Sequence, residues 1–148
     1  MQKKPEIVCF AGPNGSGKST ITKILECSED FSFETVLSTD RNLDLLKRAK
    51  EKGYFIRCIF VLTANPQINV ERVQGRVEAG GHDVPTDKIV SRYYKSLAMI
   101  KKLKTICDRL NVYDNSREEI ERIYKKRNDE EFLWENEFWT VEQINQLL

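Results

Sequence analysis

The chain has 148 residues, enough for one domain with a sizeable core and no need of disulfide or metal staples. Its 24 basic and 23 acidic side chains leave a formal charge of +1, so no global field draws it to nucleic acid or to an anionic membrane surface, although a local basic patch stays open. Four cysteines lie far apart without a C-x-x-C pair and with one histidine, which argues against a zinc site.

The first residues, MQKKPEIVCF, pass straight into a short apolar run without a small-residue cleavage site, so no signal peptide is expected. No apolar stretch approaches the length of a membrane span. A cytosolic protein with reduced thiols is expected. Cys9, Cys58 and Cys107 read as small core hydrophobes.

Short apolar, β-rich runs alternate with helical patterns, which is the signature of βαβ units and a mainly parallel sheet. Strands are expected at Glu6–Ala11, Phe31–Ser38, Phe55–Leu62 and Asn111–Asp114. Leu43, Leu45, Leu46 and Ala49 form a helical stripe that stops at Gly53, a natural C-terminal cap. Asn65-Pro66 offers an N-cap with proline at the first helical position, so the next helix should run from Pro66 to about Ala79 and end at Gly80-Gly81. After Pro85, apolar residues from Ile89 to Cys107 recur at spacings of three and four, describing one long amphipathic helix. The stretch Ile120–Trp134 suggests an edge hairpin turning at Asn128-Asp129, and Thr140 with Gln143 makes a capping box for a last helix.

The segment AGPNGSGKST fits the phosphate-loop pattern G-x-x-x-x-G-K-(S/T), directly after a strand and directly before a helix. Its glycines let successive N–H groups point inward around a phosphate chain, helped by the positive end of the following helix. The expected nucleotide site is therefore Gly12, Pro13, Asn14, Gly15, Ser16, Gly17, Lys18, Ser19 and Thr20. Lys18 is expected on the β- and γ-phosphates and Ser19 on Mg²⁺. The motif by itself leaves open which nucleotide binds and whether transfer or hydrolysis follows.

FETVLST, GYFIRCIFVLTANP, RVQGRVEAGGHDVP, SRYYKSL and VYDNS follow the loop in that order. In this the chain resembles the zeta-toxin family of bacterial P-loop kinases, over most of Ile7–Ser116. The resemblance implies a three-layer α/β domain over 1–148 with a lid near 72–92. It also implies ATP rather than GTP with Mg²⁺, and transfer of the γ-phosphoryl to a hydroxyl of UDP-N-acetylglucosamine or a similar sugar nucleotide. A nucleoside or small-metabolite kinase, and a nucleotide-binding module without catalysis, are the alternatives. The resemblance further implies that Glu34, and Thr35 beside it, contact the acceptor. Arg76 and Arg92, with Arg72 third, are implied to stabilise the transferring phosphoryl group. An antitoxin protein is an implied partner, whereas nucleic acid and membrane are not expected.

Relatives carry a longer segment between the loop's helix and the FET strand, which holds the aspartate thought to act as base. Here ITKILE runs almost at once into CSEDFSFET, and no general base can be assigned. Three readings of the shortening stand: a natural minimal variant, an internal deletion, or a stretch of chain absent near Glu26–Asp30. Asp40 reads as a helix cap ahead of a base, and His82 as a turn former. Asp114-Asn115 reads equally as a neighbour of the adenine or as turn chemistry. The run RCIFVLTANP ends without the acidic residue that often holds Mg²⁺.

Overall fold

The structure, a computed structural model, describes residues 5–16, 18 and 31–148. The stretch near Glu26–Asp30, where the shortening was read, lies outside the described residues, as do Gly17, Ser19 and Thr20.

The strands are β1 (Glu6–Ala11), β2 (Phe31–Thr35), β3 (Phe55–Leu62), β4 (Arg109–Asp114), β5 (Glu121–Arg127) and β6 (Glu130–Leu133). The described helices are α1 (Arg41–Glu51), α2 (Pro66–Glu78), α3 (Thr86–Ala98), α4 (Ile100–Ile106) and α5 (Val141–Leu147). One sheet orders its strands β2-β1-β3-β4-β5-β6. Its first four strands are parallel, and β5 and β6 add on antiparallel. This is the expected α/β architecture, a mainly parallel sheet flanked by helices, and no described helix is long and apolar enough to cross a membrane.

β1 and β3 match their expected spans because both are continuous apolar runs, as strands buried on two faces must be. One face carries the main core, where Cys9, Cys58, Phe60 and Leu62 meet Leu43 and Leu46 of α1 and Leu103 of α4. The other face buries Val8, Phe10, Ile59 and Val61. A Phe60→Ala change would cost about 3–5 kcal/mol through lost contact and a residual cavity.

β2 stops at Thr35, earlier than Ser38. The Thr35 hydroxyl accepts the Leu37 N–H at 3.0 Å, and Leu37 turns to φ 53°, which ends extended pairing. The single helix expected after Pro85 is instead α3 and α4, with a break at Met99. There the Met99 N–H bonds the Ser96 carbonyl at 3.0 Å, a tightened turn, although the apolar stripe continues through Ile100 and Leu103. Periodicity alone does not register such a break, because Met99 keeps helical angles.

The hairpin turns at Asn128-Asp129, with Asn128 at φ 56°. Ile123 is the extra residue where the register shifts between Val112 and Tyr113, so Ile123 and Tyr124 are both buried in the main core. The expected caps form: Asn65 Oδ1 accepts the Ile68 N–H at 3.3 Å, and Thr140 and Gln143 make the reciprocal box.

Candidate active site

The loop after β1 is shaped by what touches it. Gly12 has φ 146°, and a Cβ there would lie 2.1 Å from the Val61 carbonyl oxygen; its N–H bonds the Thr35 carbonyl at 3.2 Å. Gly15 has φ 75°, and a Cβ would meet the Asn69 carbonyl oxygen at 2.7 Å. Only glycine brings the backbone this close to β3 and to the start of α2.

Side chains then lock the loop from outside. Asn69, fully buried, donates from Nδ2 to the Asn14 carbonyl at 2.6 Å and accepts at Oδ1 from the Thr63 hydroxyl. Arg72 donates to the Gly15 carbonyl at 3.2 Å and the Asn115 carbonyl at 2.6 Å. Asn115 in turn donates from Nδ2 to the Ser16 carbonyl at 2.9 Å. Burial lowers the pKa of the Arg72 guanidinium, and the Asp114 carboxylate opposes that shift. Tyr93 of α3 donates to the Thr63 carbonyl at 2.6 Å, and burial pushes its phenol upward.

The Lys18 ammonium turns into the loop, 2.5 Å from the Gly12 carbonyl and 3.5 Å from that of Pro13. The Ser16 hydroxyl is buried without a partner, and a buried hydroxyl left unpaired costs about 1–3 kcal/mol. A cation and an unspent O–H donor inside a glycine-shaped loop fit an anion. Asn14 Oδ1, also unpartnered, is an acceptor and does not by itself suit one.

Arg76 is exposed and Arg92 half-buried, and neither side chain makes a hydrogen bond or ion pair among the described residues. They stand apart from Arg72, whose donors are spent on the loop. Glu34 pairs through its strand register with Phe10. The Thr35 hydroxyl accepts the Asn42 Nδ2 at 2.8 Å as well as the Leu37 N–H.

The two aspartates singled out in the sequence, Asp114 and Asp40, are engaged. Both oxygens of Asp114 are taken, one by the Ser116 hydroxyl at 2.5 Å and one by Asn136 Nδ2 at 2.8 Å. Asp40 stands at the start of α1 without a capping bond and pairs with Lys102 at 3.1 Å. His82 is exposed and makes no hydrogen bond among the described residues, contrary to the turn-fixing role expected of it. Instead the Gly80 and Gly81 N–H groups close that turn on the Val77 and Arg76 carbonyls. No group of three or more His, Cys, Asp or Glu residues that could hold a metal exists among the described residues. Asn69 and the loop-clamping role of Arg72 escape sequence reasoning. Their only signal is a polar residue on the buried side of an otherwise apolar helix face.

The family model described as Zeta toxin matches residues 22–129, which leaves the loop at 12–18 outside the matched stretch. An uncharacterized protein of Haemophilus influenzae is 32% identical over 63 residues, 43% of this chain and 45% of its own, so the chain spans less than half of that relative. Among solved structures, the AvrRxo1-ORF1:AvrRxo1-ORF2 complex with sulphate ions superposes with a TM-score of 0.73 at 11% identity, covering 97% of this chain and 63% of that one. The same complex with ATP gives a TM-score of 0.70 at 12% identity, with coverage of 97% and 63%. A structure from the PezAT chromosomal toxin-antitoxin system of Streptococcus pneumoniae gives 0.57 at 18% identity, covering 84% and 72%. At these identities the likeness is one of fold.

Proposed function

The chain belongs to the zeta-toxin family, and from that premise we propose that it is a phosphotransferase that moves the γ-phosphoryl of ATP to a hydroxyl of an amino-sugar nucleotide such as UDP-N-acetylglucosamine. The observation that carries this reading is the Lys18 ammonium held 2.5 Å from the Gly12 carbonyl, inside the loop where a phosphate chain would lie. ATP as donor is supported by the fold neighbour solved with ATP. The partner complexes of the neighbours support an antitoxin as binding partner. The cytosol, which supplies ATP and keeps Cys9, Cys58 and Cys107 reduced, is the compartment we assign.

In this reading the loop's N–H groups and Lys18 hold the β- and γ-phosphates. Arg76 and Arg92, unspent on the protein, close from a lid over residues 72–92 to meet charge that spreads over the phosphoryl oxygens during transfer. Arg72 keeps the loop in shape. To Glu34 and Thr35, at the end of β2, we assign the acceptor. Mg²⁺ would supply charge neutralisation at the phosphates, and Ser19 with the phosphates would hold it, since Asp114 at the end of β4 is engaged by Ser116 and Asn136.

A second reading, a nucleotide-binding module without catalysis, rests on the same carboxylates: Asp114 and Asp40 are both engaged among the described residues. Labelled ATP offered with a panel of sugar nucleotides, nucleosides and small alcohols decides between them. Label on the amino-sugar nucleotide supports the proposal, and label on nucleosides alone replaces the acceptor. ATP binding with no labelled product supports the module.

A further inference from the structure

The two faces of the β4–β5–β6 edge treat their cations differently. On the main-core face, Lys126 donates to the Lys104 and Cys107 carbonyls, and Lys104 pairs with Glu131 at 2.8 Å. On the opposite face, Arg57, Arg109 and Arg127 are register partners on three adjacent strands, and so stand side by side. Lys125, two residues before Arg127 and paired with Phe132, joins them on that face. None of the four makes a hydrogen bond or ion pair among the described residues, and Arg57 Nε is buried without a partner. Like charges placed directly opposite destabilise a sheet. A row of them that makes no ion pair among the described residues, although Glu130 stands opposite Arg127 on β6, is therefore a cost that the described contacts do not offset.

Aromatic rings are interleaved with these charges. Phe132 and Trp134 are exposed and stacked, with centroids 6.1 Å apart and planes 18° apart. Arg122 lies 4.7 Å over the Trp134 ring and Arg109 5.4 Å over the Phe55 ring. A guanidinium over a ring face can still offer N–H groups to phosphate oxygens, although Arg122 spends one on Asn111 Oδ1 at 3.4 Å. Exposed π-faces beside a track of unpaired cations are what an unpaired base and its backbone need. Arg57 lies roughly 13 Å along β3 from Val61, which touches the phosphate loop, so this is a second site.

We propose that the sheet face bearing Arg57, Arg109, Arg127 and Lys125 with the stacked Phe132–Trp134 pair binds single-stranded nucleic acid, through its backbone phosphates and by stacking of its bases, without preference for ribose or deoxyribose. The net charge of +1 averages over the whole chain and so conceals a face on which these four cations outnumber Glu6 and Glu130.

The test is fluorescence anisotropy of short labelled oligo(U) and oligo(dT) with the full chain. Both strands should bind alike, with affinity falling roughly 20- to 50-fold between about 50 and 200 mM salt, as expected for about three or four phosphate contacts. Lys125→Glu with Arg127→Glu should weaken binding at least about tenfold and flatten the salt slope. Trp134→Ala, at an exposed ring, should weaken it about tenfold with the slope kept. Lys18→Ala should bind as the parent does. Absence of single-strand binding at low salt overturns the proposal, as does affinity unchanged in both the charge-reversed and Trp134→Ala proteins. Equal binding of a duplex, of polyglutamate or of phosphatidylserine vesicles overturns it as well. If the charge-reversed protein does not fold, the Trp134→Ala result decides.

Discussion

Two walls, one clasping the phosphate loop and one running from Arg76 to Arg92, are built on different terms. On the β3–β4 side, Thr63, Asn69, Arg72, Asn115 and Asp114 spend their polar groups on one another and on loop carbonyls. On the side running from Arg76 to Arg92, the polar side chains are exposed or half-buried, and the two arginines hold nothing among the described residues. A polar group that is satisfied by the protein belongs to the architecture, and one that is left unspent is available to a ligand. The two walls should accordingly fail in different ways when they are cut.

The largest effect should come from the tightest contact. Gly12→Ala places a Cβ 2.1 Å from a β3 carbonyl at a φ of 146°, so the loop must move, and ATP affinity by calorimetry should fall more than about a hundredfold. Asn69→Ala leaves the Thr63 hydroxyl and the Asn14 carbonyl unpaired. A loss of about 2–3 kcal/mol is expected, read as a melting temperature lower by roughly 4–10 °C. Arg72→Ala should likewise lower the melting temperature, since its donors hold Gly15 and Asn115.

Arg76→Ala should do the reverse. Exposed and unpartnered, it should melt within about 0.5 kcal/mol of the parent yet turn over about 10- to 100-fold more slowly. If Arg76→Ala melts early and turns over normally, the contrast between the walls fails. The smallest effect lies outside both walls, at Glu131. Hydrogen bonds from Lys104, then Tyr124, hold its carboxyl below the ordinary value. A depressed carboxyl adds stability above its unfolded pKa and loses it as pH falls through the folded pKa. Solvent screens this exposed pair, so Glu131→Gln should cost under about 1 kcal/mol at neutral pH and nothing in strong acid, by denaturant melts across pH.

Where local chemistry decides structure, the sequence could be read closely. β1 and β3 were legible as continuous apolar runs, α2 from Asn65-Pro66, and the hairpin from Asn128-Asp129. The loop after β1 was legible as a glycine-shaped turn at Gly12 and Gly15, because the motif's spacing is a backbone requirement. What was not legible depends on docking. Arg72 and Arg76 lie one helical turn apart and look equivalent in sequence, and only the approach of α2 to the loop puts one on Gly15 and leaves the other in solvent. Asn69 was not singled out in the sequence, and its place follows only from Gly15 packing against it. The break at Met99 and the end of β2 at Thr35 likewise follow from single hydrogen bonds that no periodicity records. The row of arginines needed the strand register, because Arg57, Arg109 and Arg127 are distant in sequence.

The central claim is that this loop binds ATP for transfer. The most direct measurement is the passage of labelled γ-phosphate from Mg-ATP to UDP-N-acetylglucosamine, made with the parent and with Lys18→Ala side by side. The account predicts labelled sugar nucleotide from the parent and a loss of about 10²- to 10³-fold in the variant. Equal transfer by both proteins, or ATP binding by the parent with no labelled product from any acceptor, would contradict it.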